Sequence, residues 1–189
     1  MLRRTSILAS IIALAAVLRL WGIGSAPPAL QYDEAVNGLT AAGILAGEHP
    51  GLLMQKDGRE PIHFYLVAAS IAVLGKTPGA LRLPYVLASI GLVAAVWLLA
   101  RELFGRKVGW LATLLCAGTL WPVYLGRYGT RSVFFALVTA LALFSAARAW
   151  RSRAIGWWVV TGLLFGVSYY TYPVNLFVLP AIVLVLAGA

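Results

Sequence analysis

Most of this 189-residue chain is divided into apolar runs of the length a bilayer demands, and that pattern leaves few folds open. Runs at about 6–23, 83–100, 108–125, 132–147, 155–172 and 174–189 reach or approach the ~20 residues of a membrane-crossing helix. The expected fold is all-α, a polytopic transmembrane helical bundle forming one domain over 1–189. Composition agrees: charged residues make up 11% of the chain, against roughly one quarter in an ordinary soluble domain. The net charge of +9 does not point to nucleic acid, because the basic residues sit in short groups between apolar runs rather than on one basic face. They read as topology signals. The single cysteine, Cys116, lies within an apolar run, and His49 and His63 are the two histidines, so neither a disulfide framework nor a Cys/His zinc spacing exists. The last run ends without a polar tail, which suggests the N-terminal part of a larger protein.

Arg3 and Arg4 before the first run place the N-terminus in the cytoplasm by the positive-inside rule. Gly24-Ser25-Ala26 also fits a signal-peptide cleavage site, against which Arg19 speaks, and both readings put Asp33 outside. Pro27-Pro28 ends the run, and Asp33 stands where a helix can begin. Val36, Leu39, Gly43 and Ile44 follow at helical spacing, predicting an interfacial helix over 33–47. Pro61 opens a second apolar segment, 62–74, whose reach of ~20 Å is short for a crossing. If it does not cross, Arg3, Arg4, Arg101, Arg106, Lys107, Arg148, Arg151 and Arg153 share the inner side, the arrangement the charge rule favours. The segment is therefore read as a re-entrant or surface helix in a large external loop, about 24–80. RYGTR (127–131) and YYTYP (169–173) then face the same side as Asp33.

Five of the six acidic residues fall within 30–61. Asp33 and Glu34, adjacent at a helix start, suit a general base and an orienting or metal-binding partner, whereas helix capping would need Asp33 alone. Lys56, Arg59, Arg127 and Arg131 suit a phosphate, although membrane-flanking basic residues also snorkel to lipid headgroups. Arg127 and Arg131 are four apart, a spacing that predicts one helical face for both. Glu60, His63, Tyr128, Tyr170 and Tyr172 are candidates to line the substrate site, the tyrosines being equally what an aromatic belt supplies. Gly162 and Gly166 have the spacing of a helix-packing contact.

RLWGIGSAPPALQYDEAVNG, REPIHFYLVAASIAVLGK and ALRLPYVLASIGLVAAVWLLARELFGRKVGWLATLL together resemble the N-terminal half of the lipid-dependent GT-C glycosyltransferases. The likeness is to the dolichyl-phosphate-mannose protein mannosyltransferase and aminoarabinose transferase type, glycosyltransferase family 39 and its bacterial relatives. It implies an enzyme of the cell membrane with a first external loop carrying two membrane-parallel helices, and a catalytic aspartate just after the first span, matched here by Asp33. It further implies inverting transfer from a polyprenyl-phosphate sugar donor to a lipid, glycan or protein acceptor at the external face, with Asp33 as base. Where many relatives carry an acidic residue in the second external loop, RYGTR offers Arg131. A second carboxylate, and a divalent metal built on it, therefore lack support, and no cofactor is expected. A flippase or transporter would place charges inside several spans; a truncated, inactive scaffold is the remaining alternative.

Overall fold

The structure, a computed structural model, describes residues 2–48 and 60–174 together with 177, 178, 180 and 181. Among them are eight helices and no strand: α1 (Leu2–Leu20), α2 (Tyr32–Leu45), α3 (Ile62–Leu74), α4 (Pro78–Phe104), α5 (Arg106–Gly118), α6 (Leu120–Arg127), α7 (Ser132–Ser152) and α8 (Ile155–Ser168). The expected all-α bundle is what forms. Two helices, α4 and α7, are long and apolar enough to cross a membrane, and α5 with α6 makes a third candidate bent by 49°. At 27 residues α4 reaches ~40 Å, against a hydrocarbon core of ~30 Å. It is the central post, touching α1, α2, α3, α5, α6 and α7.

Several boundaries differ from the sequence-based spans. The long loop ends earlier, because Thr77 caps α4 by accepting a hydrogen bond from the Ala80 N–H and Pro78 fills the first helical position. The 108–125 run is two helices, not one. Pro122 has no N–H to continue the ladder, so the chain turns at Thr119 and leaves the last α5 carbonyls without helical partners. At 14 residues, α8 stops at Ser168, short of the expected 172, and the chain turns through Tyr169–Thr171. The 174–189 run lies mostly outside the described residues.

The freed α5 carbonyls explain a buried cation. Arg19, fully buried on α1, donates from Nη1 to Ala117 O (2.9 Å) and Ala15 O (3.3 Å), from Nη2 to Cys116 O (3.0 Å), and from Nε to Ser89 Oγ (2.7 Å). A charge in this setting is tolerated when polar groups surround it, and the negative end of α5 suits a guanidinium. Ser89 donates in turn to Pro122 O (2.9 Å), tying α1, α4 and both arms of the bent pair together. Gly126 makes that junction possible. A Cβ there would lie 2.5 Å from Ser89 Cβ and 2.6 Å from its Oγ. Gly126→Ala should therefore destabilise the protein by ~1–3 kcal/mol, the usual penalty of overpacking. Gly162→Ala and Gly166→Ala should be close to neutral or slightly stabilising, since a Cβ at either position meets nothing within 4 Å. The proposed helix-packing role of that glycine pair has no partner surface among the described residues. Detergent unfolding midpoints of the three variants test both statements.

Two apolar clusters complete the core. One joins α2, α3, α4 and α7 through Ala41, Val67, Ile71, Leu81, Tyr85 and Phe134; the other joins α1, α4 and α5 through Ala15, Val93 and Ala117. The pairings Ala15 with Val93 and Arg19 with Ser89 make α1 antiparallel to α4. The start of α1 therefore lies towards Phe104, and its end towards Arg82.

Candidate active site

The site is built on the segment between α1 and α2, whose irregular backbone is held by two arginines from elsewhere in the chain. Arg127, at the end of α6, donates from Nη1 to the carbonyls of Leu18 (3.1 Å), Arg19 (3.2 Å) and Trp21 (2.7 Å), and from Nη2 to Ala26 (2.7 Å). Arg82, buried on α4, donates from Nη1 to Ile23 O and Pro27 O (both 3.1 Å) and from Nη2 to Ala29 O (2.9 Å). Its Nε reaches Glu34 Oε1 at 2.7 Å and its Nη2 reaches Glu34 Oε2 at 3.1 Å. Five contacts thus use the guanidinium's five donors, and the fork meets the carboxylate in the bidentate geometry that strengthens such pairs.

Glu34 is fully buried, and its Oε2 also accepts the Gln31 N–H at 3.0 Å, fixing the first turn of α2. Asp33, one residue earlier, points elsewhere because successive helical residues are ~100° apart. It is exposed and lines a cavity of about 300 Å³. The sequence placed both carboxylates in one chemical pair; the structure divides them, with Glu34 anchoring the helix on which Asp33 is presented. Gly129 packs over this anchor at φ +60°, where an added Cβ would lie 3.2 Å from Glu34 Cγ.

Four parts of the chain close the cavity. Gln31, Asp33 and Asn37 come from the start of α2, Tyr124 and Leu125 from α6, Gly129, Thr130 and Arg131 from the turn into α7, and Tyr172 from beyond α8. Arg131 pairs with Glu60 through Nη1 and Oε2 at 3.0 Å, and its guanidinium lies 5.2 Å from the centre of the Tyr172 ring. The expected meeting of Asp33, RYGTR and YYTYP at one place is therefore observed. Asn37, one turn after Asp33, is buried, and its Nδ2 donates to the Tyr85 hydroxyl at 3.0 Å. Sequence reasoning passed over it, although its i+4 spacing from Asp33 puts both on one face. Arg82 was also missed, and its signal was an arginine just inside an apolar run.

Other expected site residues are placed differently. Arg127 and Arg131 do not share a helical face, because the left-handed Gly129 separates α6 from α7. Arg127 lines no part of the cavity and holds backbone instead. Tyr128 stacks on Tyr124 with ring centres 4.1 Å apart and lines a second cavity of about 240 Å³ with Pro27 and Pro28. His63 is buried in the first turn of α3, with its ring centre 3.9 Å from that of Phe64 and 6.3 Å from that of Tyr85. Tyr170 is half-buried outside the cavity wall. Lys56 and Arg59 lie outside the described residues. Among the described residues, Asp33 is the carboxylate on the cavity wall itself, and Glu60 reaches the cavity through Arg131.

A carboxylate and a guanidinium thus occupy the walls of one cavity at one end of a membrane bundle. The sequence profile of the dolichyl-phosphate-mannose-protein mannosyltransferases matches residues 49–189. The chain belongs to that family. It is accordingly a membrane glycosyltransferase of the GT-C type. The matched region contains Glu60, Arg82, Arg131 and Tyr172 and begins after Gln31, Asp33 and Asn37, so the structure, not the family match, joins those three to the site. No curated protein and no solved structure matches the chain.

Proposed function

We propose that this glycosyltransferase moves a sugar, with inversion, from a polyprenyl-phosphate donor to an acceptor hydroxyl or amine of a lipid, glycan or protein on the non-cytoplasmic side. The observation that carries the reading is the cavity in which Asp33 and Arg131 both line the wall. In a single displacement the acceptor oxygen bonds to the anomeric carbon as the bond from that carbon to the phosphate oxygen breaks. Asp33 accepts the acceptor's proton, and the polyprenyl phosphate departs with the bonding pair. Charge then grows on the phosphate, where a pre-placed guanidinium stabilises the transition state more than the ground state. The amino end of α7, at Ser132 beside Arg131, adds the partial positive charge of a helix start.

Two further features support the reading. An apolar groove of about 710 Å³ runs between α3, α4 and α7, lined by Leu66, Val73, Leu87, Phe134 and Leu137 among others, with Ser70 as the polar side chain. Phe134 is one turn from Arg131, so a lipid whose phosphate reached Arg131 would find an apolar channel for its chain. Secondly, the cavity is at the opposite end of α4 and α7 from Arg101, Arg106, Lys107, Arg148, Arg151 and Arg153. Positive residues favour the cytoplasmic side, which supports an outer position for the cavity.

Arg131→Gln tests the reading, because a charge-assisted hydrogen bond is worth ~1.5–3 kcal/mol. Donor-lipid transfer by the full-length protein should fall by about ten- to a hundredfold. Glu60→Gln should lower transfer less, or raise donor affinity, since it removes the anion with which the phosphate competes for Arg131. Affinity and transfer both within a factor of about two of wild type in Arg131→Gln, under ~0.5 kcal/mol, would remove the phosphate contact.

A further inference from the structure

The end of the bundle remote from Asp33 carries a second concentration of charge that glycosyl transfer does not use. Arg101, Arg106, Lys107, Arg148, Arg151 and Arg153 gather where α4 ends, α5 begins and α7 turns into α8, and Glu102 is the one acidic residue among them. Glu102 is shared by Arg148 (3.5 Å) and Arg151 (3.7 Å), and the Arg148 guanidinium also lies 5.8 Å from the centre of the Trp157 ring. Arg153 is set apart from that network. It ends α7 in the left-handed region at φ +57°, its N–H returning to Ala149 O at 2.9 Å, so that α8 can begin at Ile155. This tight reversal opens a notch of about 290 Å³ lined by Ala149, Trp150, Arg153 and Trp158.

We infer that this notch binds the phosphodiester headgroup of an anionic membrane lipid. Both tryptophans present large exposed surfaces at the ends of apolar helices, the position in which indole rings settle at the membrane boundary. Next to them α8 exposes Ile155, Val159 and Leu163, so acyl chains flank the notch. At ~30 Å³ per water-sized group, the notch holds about ten such groups, the scale of a glycerol phosphodiester rather than of a whole lipid. The surrounding cations attract anionic headgroups in general. The notch adds a defined seat, lined by one arginine and two tryptophans with no carboxylate on its wall.

The probe is phosphatidylglycerol added to the detergent-purified full chain, read by native mass spectrometry, with phosphatidylcholine as the neutral comparison. Phosphatidylglycerol should bind with about tenfold preference, and Arg153→Gln or Trp158→Ala should abolish most of it. Arg106→Gln/Lys107→Gln removes two charges outside the notch and should leave most of the preference intact. An equal loss in that double variant would replace the site by a diffuse basic surface and overturn the inference. So would equal binding of both lipids, or displacement of phosphatidylglycerol by millimolar sodium phosphate, which would mark a site for free anions. Binding is measured without donor or turnover, so its outcome is independent of the reaction proposed above.

Discussion

Arg82→Met is expected to destabilise the protein by ~3–5 kcal/mol, the range for removing one partner of a buried ion pair. The size follows from what is left behind. Glu34 would keep a buried carboxylate that still accepts the Gln31 N–H but has lost its countercharge. The carbonyls of Ile23, Pro27 and Ala29 would lose their donor in the same step. Arg82→Lys keeps the charge but has at most three donors for five contacts and lacks the planar fork, so it should recover only part of the loss. Arg82→Met combined with Glu34→Leu removes both charges, and should be more stable than Arg82→Met alone. Unfolding midpoints in mixed detergent, followed by circular dichroism, give the comparison. A loss below ~1 kcal/mol in Arg82→Met would show that the pair is not the anchor of the α1–α2 segment.

Asp33→Asn is expected to lower transfer by ~10²–10⁴-fold, the range for loss of a positioned proton acceptor. This corresponds to ~2.7–5.5 kcal/mol of transition-state stabilisation. The amide is nearly the same shape as the carboxylate, and Asp33 is exposed, so the variant should fold and retain donor affinity within a factor of about two, under ~0.5 kcal/mol. The contrast with Glu34→Gln separates the two carboxylates. That change weakens a buried bidentate pair and should appear first as lower stability, with slower transfer following from a looser α2. Measurements of transfer, donor binding and unfolding on the same preparations of full-length protein decide the matter. Asp33→Asn with turnover close to wild type would remove Asp33 as the base.

How far the site was legible depended on whether each fact was local. Asp33 at a helix start and α3 as an apolar helix too short to cross are read from a few neighbouring residues, because capping, length and apolar content act over a turn or two. The roles of the arginines could not be read that way. Arg127 and Arg131 looked equivalent at a spacing of four, yet Gly129 ends one helix between them, and Arg127 turns to the carbonyls of 18–26 while Arg131 meets Glu60, 71 positions away.

The sequence by itself determined the class of the protein: an all-α membrane bundle with its acidic residues concentrated before α3, since apolar length and charge placement are properties of composition along the chain. Only the tertiary structure decided which charges are framework and which face the cavity. A buried carboxylate or guanidinium must find a partner wherever packing brings one, and Arg82 finds Glu34 across 48 residues as Arg19 finds the broken end of α5 across 97 and 98. Asp33 is left to the cavity because its neighbour Glu34 takes the buried direction, a choice made by the position of α4 and not by the order of the two residues.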